Sequence, residues 1–419
     1  MIKKIIAVCG LLFSITAFAQ ETNASPYSYY GVGDLKFKGT PDTRAMGSMG
    51  IFPDSIHINL QNPASYSHLK VTTFSVAASN SKTNFKSSGP DESATRTTLD
   101  YLTVAIPFNK AGIAFGLMPY TAVGYKIQNT AEGSDNITRT RQFNGRGGIN
   151  RVFLGGSYQV TPAFSIGADV SYNFGNIETK SIVSVTDVQL STRETNDSHY
   201  GGVSFNVGAT YKKTLNNKYD WITSATFTPA SNLKSSIERE LATITITNNG
   251  EIVNDSEKFT LNDEDVKMPA RFTVGSGIGI KTKWFAGVEY AYQQSNELGN
   301  RFDNITSAGF EAGHRASVGG YYTPNYMSYS SYFSRITYRG GLKFEKTGLV
   351  VNNNSINDYA LTFGASLPLG AFIGSSSLNI GFEWGRRGTT SANLIQENYF
   401  NMLVSLSLND RWFIKRKYD

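Results

Sequence analysis

Few side chains in this sequence have the types and spacing that chemistry demands. The four histidines, His57, His68, His199 and His314, are scattered, and none pairs with another at metal-ligand spacing. The one cysteine, Cys9, lies near the start. No Gly-x-Ser-x-Gly elbow presents a nucleophile. Gly275-Ser276-Gly277-Ile278-Gly279 is glycine-rich, but it sits within an alternating strand and no helix follows to bind phosphate. Asp263-Glu264-Asp265 lacks the glycine and the ligand spacing of a calcium loop and reads as a solvated outer loop. These features point away from an enzyme, a metal centre and a cofactor. The informative charges are Asp169, Glu289, Arg315, Arg339, Lys343 and Glu383, which alternation places on the polar faces of strands. Buried charges of both signs need partners, so they read as a structural network first and a substrate site second.

The elements that carry them are strands with a period of two. In 164–174, Phe164, Ile166, Ala168, Val170, Tyr172 and Phe174 take one face, and Ser165, Gly167, Asp169, Ser171 and Asn173 the other. Fourteen such runs occur: 71–78, 99–108, 111–119, 149–160, 164–174, 203–211, 221–229, 271–280, 284–292, 314–322, 334–344, 359–367, 376–384 and 398–408. Most have about the nine to eleven residues that a tilted strand needs to cross a bilayer. The segments between them alternate long (79–98, 120–148, 175–202, 230–270, 293–313, 345–358, 385–397) and short. That alternation suits a bacterial barrel with long outer loops, short periplasmic turns and both termini in the periplasm. A soluble sandwich needs no such asymmetry, and a solenoid would show a fixed repeat. Tyr120, Tyr125, Trp221, Trp284, Tyr292, Trp384, Tyr399 and Trp412 border the runs and fit interfacial girdles.

Composition agrees with this reading. Hydrophobic content is 40%, below the usual ~45–50%, yet the chain has 40 Gly, 23 Tyr and 26 Phe. The formal charge of +6 falls to +4 without Lys3 and Lys4, and no basic run interleaved with aromatics suggests nucleic acid. No stretch beyond residue 20 is long and apolar enough for a transmembrane helix. Residues 1–19 read as a signal peptide: Lys3 and Lys4, an apolar core over Ile5–Ile15, then Ala17-Phe18-Ala19 before Gln20. Cys9 lies inside the apolar core after Val8, which argues against lipidation.

Residues 20–70 cannot span a membrane. They are punctuated by Pro26, Gly31, Gly33, Gly39, Pro41, Gly47, Gly50, Pro53 and Pro63. Arg44-Ala45-Met46-Gly47, then Asn62-Pro63-Ala64-Ser65 before the first strand, resembles the N-terminal hatch of the FadL/TodX outer-membrane transport family. Ser25-Pro26-Tyr27-Ser28-Tyr29-Tyr30-Gly31-Val32-Gly33-Asp34-Leu35 resembles the Bacteroidota branch, as do Phe382-Glu383-Trp384-Gly385-Arg386-Arg387-Gly388, Glu397-Asn398-Tyr399-Phe400 and Asn409-Asp410-Arg411-Trp412-Phe413. The chain departs from most barrels by running past Trp412 and Phe413 to Asp419.

The organisation expected is an all-β transmembrane antiparallel barrel of about fourteen strands over 71–408, a hatch or plug over 20–70 and a periplasmic tail over 409–419. The hatch motif Asn62, Pro63 and Ala64 would end a polar plug that meets Asp169, Glu289, Arg339 and Glu383. The resemblance implies a channel in the outer-membrane lipid for hydrophobic or amphipathic small molecules. The alternative is a non-transporting barrel subunit of an outer-membrane assembly or secretion complex, partnered by other outer-membrane proteins. An apolar path to a wall gap would favour the first, and a sealed, charge-filled lumen the second.

Overall fold

The computed structural model describes residues 23–133, 135–299, 308–370 and 376–412. The signal-peptide reading, Gln20 and the chain beyond Trp412 lie outside these residues. Fourteen wall strands follow. They begin with β1 (Thr72–Lys86), β2 (Glu92–Phe108) and β3 (Ala111–Pro119, continued by Thr121–Glu132). Next come β4 (Thr138–Gln159), β5 (Phe164–Val185), β6 (Ser191–Leu215) and β7 (Tyr219–Thr228, continued by Ser231–Thr247). β8 runs in three pieces, Gly250–Thr260, Glu264–Met268 and Arg271–Ile280. β9 (Trp284–Gln293), β10 (Gly313–Tyr322), β11 (Thr337–Val351), β12 (Asn354–Pro368), β13 (Ser377–Arg387) and β14 (Gln396–Asp410) complete the set. Each pairs antiparallel with the next, and β14 returns to β1 from Thr72↔Asp410 to Lys86↔Gln396, closing the wall. Closure removes the open edge that hydrocarbon cannot tolerate.

The period-two pattern sorts side chains as lipid requires. Leu154, Val170, Phe205, Val288 and Leu342 are exposed on the outer surface, whereas Ser171, Ser204 and Asn206 on the same or adjacent strands are buried. Local turn chemistry fixes register. Asn352 and Asn353 (φ 49° and 61°) adopt the left-handed pair that two-residue hairpins favour, and Asn216 and Asn217 (φ 49° and 53°) adopt the same pair in the three-residue tip between Leu215 and Tyr219.

Two sequence expectations change. The long segments 79–98, 120–148, 175–202 and 230–270 are mostly not loops, because the strands continue through them and close in short tips. β6 alone has 25 residues. Apolar alternation reports contact with lipid and stops at its edge, while backbone pairing carries on. The last strand likewise takes in Asn409 and Asp410. The girdle assignment fails for Tyr125, which is buried against Tyr29, and for Tyr399, whose hydroxyl donates to the inward Asp358 at 2.7 Å.

The wall has one seam. β2 pairs with β3 from Phe108↔Ala111 to Leu102↔Leu117, and beyond that Glu92–Tyr101 pairs only with β1. The continuation of β3 turns inward after Tyr120, and Thr121, Ala122, Val123, Gly124 and Tyr125 are all buried. It bonds to β4 and to a two-residue strand, Asp34–Leu35, from the N-terminal segment. Gly148 (φ 156°) permits the bend, since a Cβ there would lie 2.4 Å from the Thr121 carbonyl oxygen.

Ser75 Oγ of β1 and Ser407 Oγ of β14 lie 3.1 Å apart across the closing pair. Ser75→Cys with Ser407→Cys should therefore oxidise to a crosslink visible by its mobility on a non-reducing gel. A double variant that stays reduced in an oxidising buffer would contradict this closure.

Candidate functional site

Residues 23–71 touch strands in every quarter of the closed wall, so the segment lies within the barrel. At the long-hairpin end the Asn23 side-chain amide donates to Ala122 O (3.1 Å) and Asp34 Oδ2 (2.7 Å). Nearby, Ser25 Oγ donates to Glu397 Oε1 (2.5 Å), and Asp34 pairs with Arg387 (2.8 Å). At mid-height Lys38 meets Asp169 (2.9 Å), Asp42 meets Arg339 (3.2 Å) and Arg44 meets Glu383 (3.0 Å). The Gly50 amide donates to Glu289 (2.6 Å). At the short-turn end His57 Nε2 lies 2.9 Å from Ser377 Oγ, and the Asn409 amide donates to Ile56 O (3.0 Å).

The six singled-out charges all point inward. Asp169, Arg339 and Glu383 bond to side chains of the segment and Glu289 to its backbone; Arg315 pairs with Glu289 (3.0 Å) and stacks over Phe37. Lys343 bridges Glu383 (2.8 Å) and Asp358 (3.1 Å). Sequence reasoning did not single out Asp100, Asp358, Arg387 and Glu397 as members. Asp358 and Glu397 lie at the ends of the alternating runs, where parity is least legible. It also did not single out Lys38, Asp42 or Arg44 as the segment's own contribution, because a chain without regular structure has no parity to read.

Asn62 caps the short 3-10 helix Pro63–His68: its side-chain oxygen accepts from the Ala64 amide (3.0 Å), and Pro63 occupies the first turn, where no amide is needed. The Asn62 amide donates to Thr210 Oγ1 of β6 (2.9 Å). The helix rests on Gly167 of β5, where a Cβ would lie 2.6 Å from the Pro63 carbonyl carbon. Glycine at an inward strand position is thus a signal of close backbone approach that alternation alone ignores.

The segment is not simply polar. Ile58, Leu60, Tyr66 and Leu69 pack on inward-facing Ala77, Tyr101, Ala105, Ala114, Met118 and Phe153. Met46, Met49 and Ile51 pack on Ile222 and Phe285. Tyr66, Leu60, Met49 and Ile51 are at most 1% exposed, and each such side chain stabilises by roughly 1.5–3 kcal/mol. The expected polar plug in a polar lumen is corrected on this point: the contact has four apolar clusters, the other two around Val32 and Tyr27, as well as ion pairs.

A cavity of about 520 Å³ remains, reaching the seam between β2 and β3. Lys36, Arg44, Asp100, Arg271, Lys343 and Glu383 line it. Among the described residues no carboxylate pairs with Arg271. Nor do the described residues contain a group of His, Cys, Asp and Glu able to hold a metal.

Two outcomes follow. Glu383→Ala takes the shared carboxylate from Arg44 and Lys343 and leaves them Asp100 and Asp358, a loss of about 1.5–3 kcal/mol, readable as a lowered urea midpoint in micelles. His57 is the second. Burial disfavours its charge, but Asp42 and Asp54 (2.6 Å from Nδ1) outweigh burial and raise its pKa. That stabilisation is full below the ordinary imidazole range and is lost as pH rises through the elevated folded value. Hydrogen exchange over 54–60, corrected for its intrinsic rate, should quicken with rising pH in the native chain and lose this step in His57→Gln.

The fold has known counterparts. CymD, a monoaromatic hydrocarbon channel, superposes with a TM-score of 0.62 at 12% identity, covering 90% of this chain and 99% of its own. The Pseudomonas putida toluene transporter TodX gives 0.60 at 16% identity, covering 91% and 100%. A Pseudomonas aeruginosa FadL homologue gives 0.60 at 11%, covering 90% and 98%. These neighbours are bacterial outer-membrane barrels, channels and transporters rather than enzymes, and at such identities the likeness is one of fold. No curated protein sequence matches. The BamG family matches over residues 1–419, and the chain belongs to the BamG family.

Proposed function

We propose that this barrel is a plugged, non-conducting subunit of an outer-membrane protein assembly, with its long hairpins outside the cell. The observation that carries the reading is the set of ion pairs from Lys38, Asp42 and Arg44 to Asp169, Arg339 and Glu383. Withdrawing the segment to open a path would take the ion-pair partners from Asp169 and Arg339 and leave Glu383 with Lys343 alone, a cost of several kcal/mol for each ion left without compensation. Such a lumen suits a fixed wall that other proteins pack against. The likeness of the first and last motifs to the Bacteroidota branch supports that origin, and the Ala17-Phe18-Ala19 pattern supports cleavage before Gln20.

Passive transport of hydrophobic or amphipathic molecules is the second reading, favoured by the seam and the cavity behind it. Against it stand the charges in the lining: Lys36, Arg44, Asp100 and Arg271 sit among the apolar Leu35, Phe37, Leu99, Leu117 and Met118, so a hydrocarbon lodged there would strip water from charged groups.

The two readings separate in one experiment. Purified protein in planar bilayers should show no steady conductance, a chain lacking 23–66 should conduct, and mild solubilisation of native membranes should yield the barrel in a complex of higher mass. Toluene uptake by whole cells that falls when the gene is removed, with the barrel migrating alone on native gels, would reverse the assignment.

A further inference from the structure

We propose that the outermost piece of β8, Gly250–Thr260, is a docking edge to which a basic, extended segment of a partner protein adds as a further strand. The proposal rests on the assembly-subunit reading and names the chemistry of one partner contact.

β5 to β8 rise well beyond what lipid requires. Their outer halves remain paired with one another, from Ile182↔Arg193 through Ala242↔Arg193 to Ala242↔Ser256. This sheet rolls over so that Glu251 at the tip of β8 reaches Lys180 and Arg193, while Ile182, Ala242 and Ile244 form a small buried cluster beneath. The edge is therefore held on a packed support. Gly250–Thr260 pairs with β7 on one side, from Thr247↔Gly250 to Glu238↔Thr260. On the other side β9 reaches β8 only along Arg271–Ile280, and no described strand pairs with that outward edge of Gly250–Thr260. Every residue of this piece except Glu251 is exposed.

An edge of this kind leaves roughly half of its backbone donors and acceptors without a protein partner, the arrangement that strand addition uses. No proline interrupts it. The one irregularity lies opposite Thr243 and Ile244, which leaves Asp255–Thr260 in regular register. Ile252, Val253 and Phe259 offer exposed apolar side chains beside that edge.

Charge selects the occupant. Asp255, Glu257, Asp263, Glu264 and Asp265 have no ion-pair partner among the described residues, whereas Lys258 faces Glu240 at 3.9 Å. A second copy of this chain would set carboxylates against carboxylates across the new pair, which is unfavourable. A strand carrying lysine or arginine would satisfy both the carboxylates and the free backbone.

The test uses the full chain in its native outer membrane, with the photo-crosslinker p-benzoylphenylalanine placed at Asn254 or Ser256. Asn84, exposed on a strand bonded on both sides, serves as control. The expected result is a discrete adduct from the two edge positions, mapped by mass spectrometry to a net-basic segment of one protein, and none from Asn84. Asp255→Lys with Glu257→Lys should lower its yield on the order of tenfold, while heat-modifiable migration shows that the barrel still folds. No adduct, an adduct only with lipid or a second copy, or a yield indifferent to charge reversal would overturn the docking edge. If the barrel still runs in a larger complex on native gels, only the edge has failed. If it runs alone and conducts, the assembly reading has failed.

Discussion

Backbone hydrogen bonding inside hydrocarbon governs this molecule. No water reaches the lipid-facing wall, so each amide and carbonyl there must find a partner in a neighbouring strand. Thirteen hairpin or neighbour pairings and the return of β14 to β1 meet that demand. The inward turn of β3 suspends it at one place, and the structure answers with chain from elsewhere: Asp34–Leu35 pairs with Thr121 and Ala122, and Asn23 bonds to the Ala122 carbonyl. The N-terminal segment is thus both filling and wall.

The same segment sets the electrostatics of the interior. Strands of an antiparallel barrel can carry charge inward only if something neutralises it. Neighbouring strands do so for Glu289 with Arg315 and for Lys343 with Asp358 and Glu383. Elsewhere the counter-charge is borne by the segment, as Lys38, Asp42, Arg44 and Asp34 are. Apolar contacts at Tyr66 and Met49 then hold these groups at fixed depth, so the ion pairs do not have to supply the fit alone.

The barrel was legible because period-two alternation is imposed by the surroundings of each strand. Phe164 to Phe174 reads correctly since every second residue meets lipid. Where lipid ends, the reading ends too: Thr121–Glu132 and Ser231–Thr247 are strands whose faces meet water, the segment or each other, and their sequences carry no common signal. The inward charges were found by parity, but the partners were not, because Asp42 and Arg339 are brought together only by the path of a chain without repeat. Tyr125 shows the opposite error. An aromatic beside an apolar run looks interfacial until the bend after Tyr120 carries it inside.

The glycine seats have a consequence for how this chain folds. Gly167 lies against Pro63, and Gly341 would place a Cβ 2.3 Å from the Gly47 amide nitrogen, so backbone meets backbone with no side-chain gap between. A finished cylinder with such clearances does not admit Tyr66, Met49 and the residues above them by threading from one mouth. The interior must be laid down first and the staves drawn round it, with β14 meeting β1 as the last joint. Folding time for this protein is then set by wrapping, and an N-terminal segment that arrives late finds the door already shut.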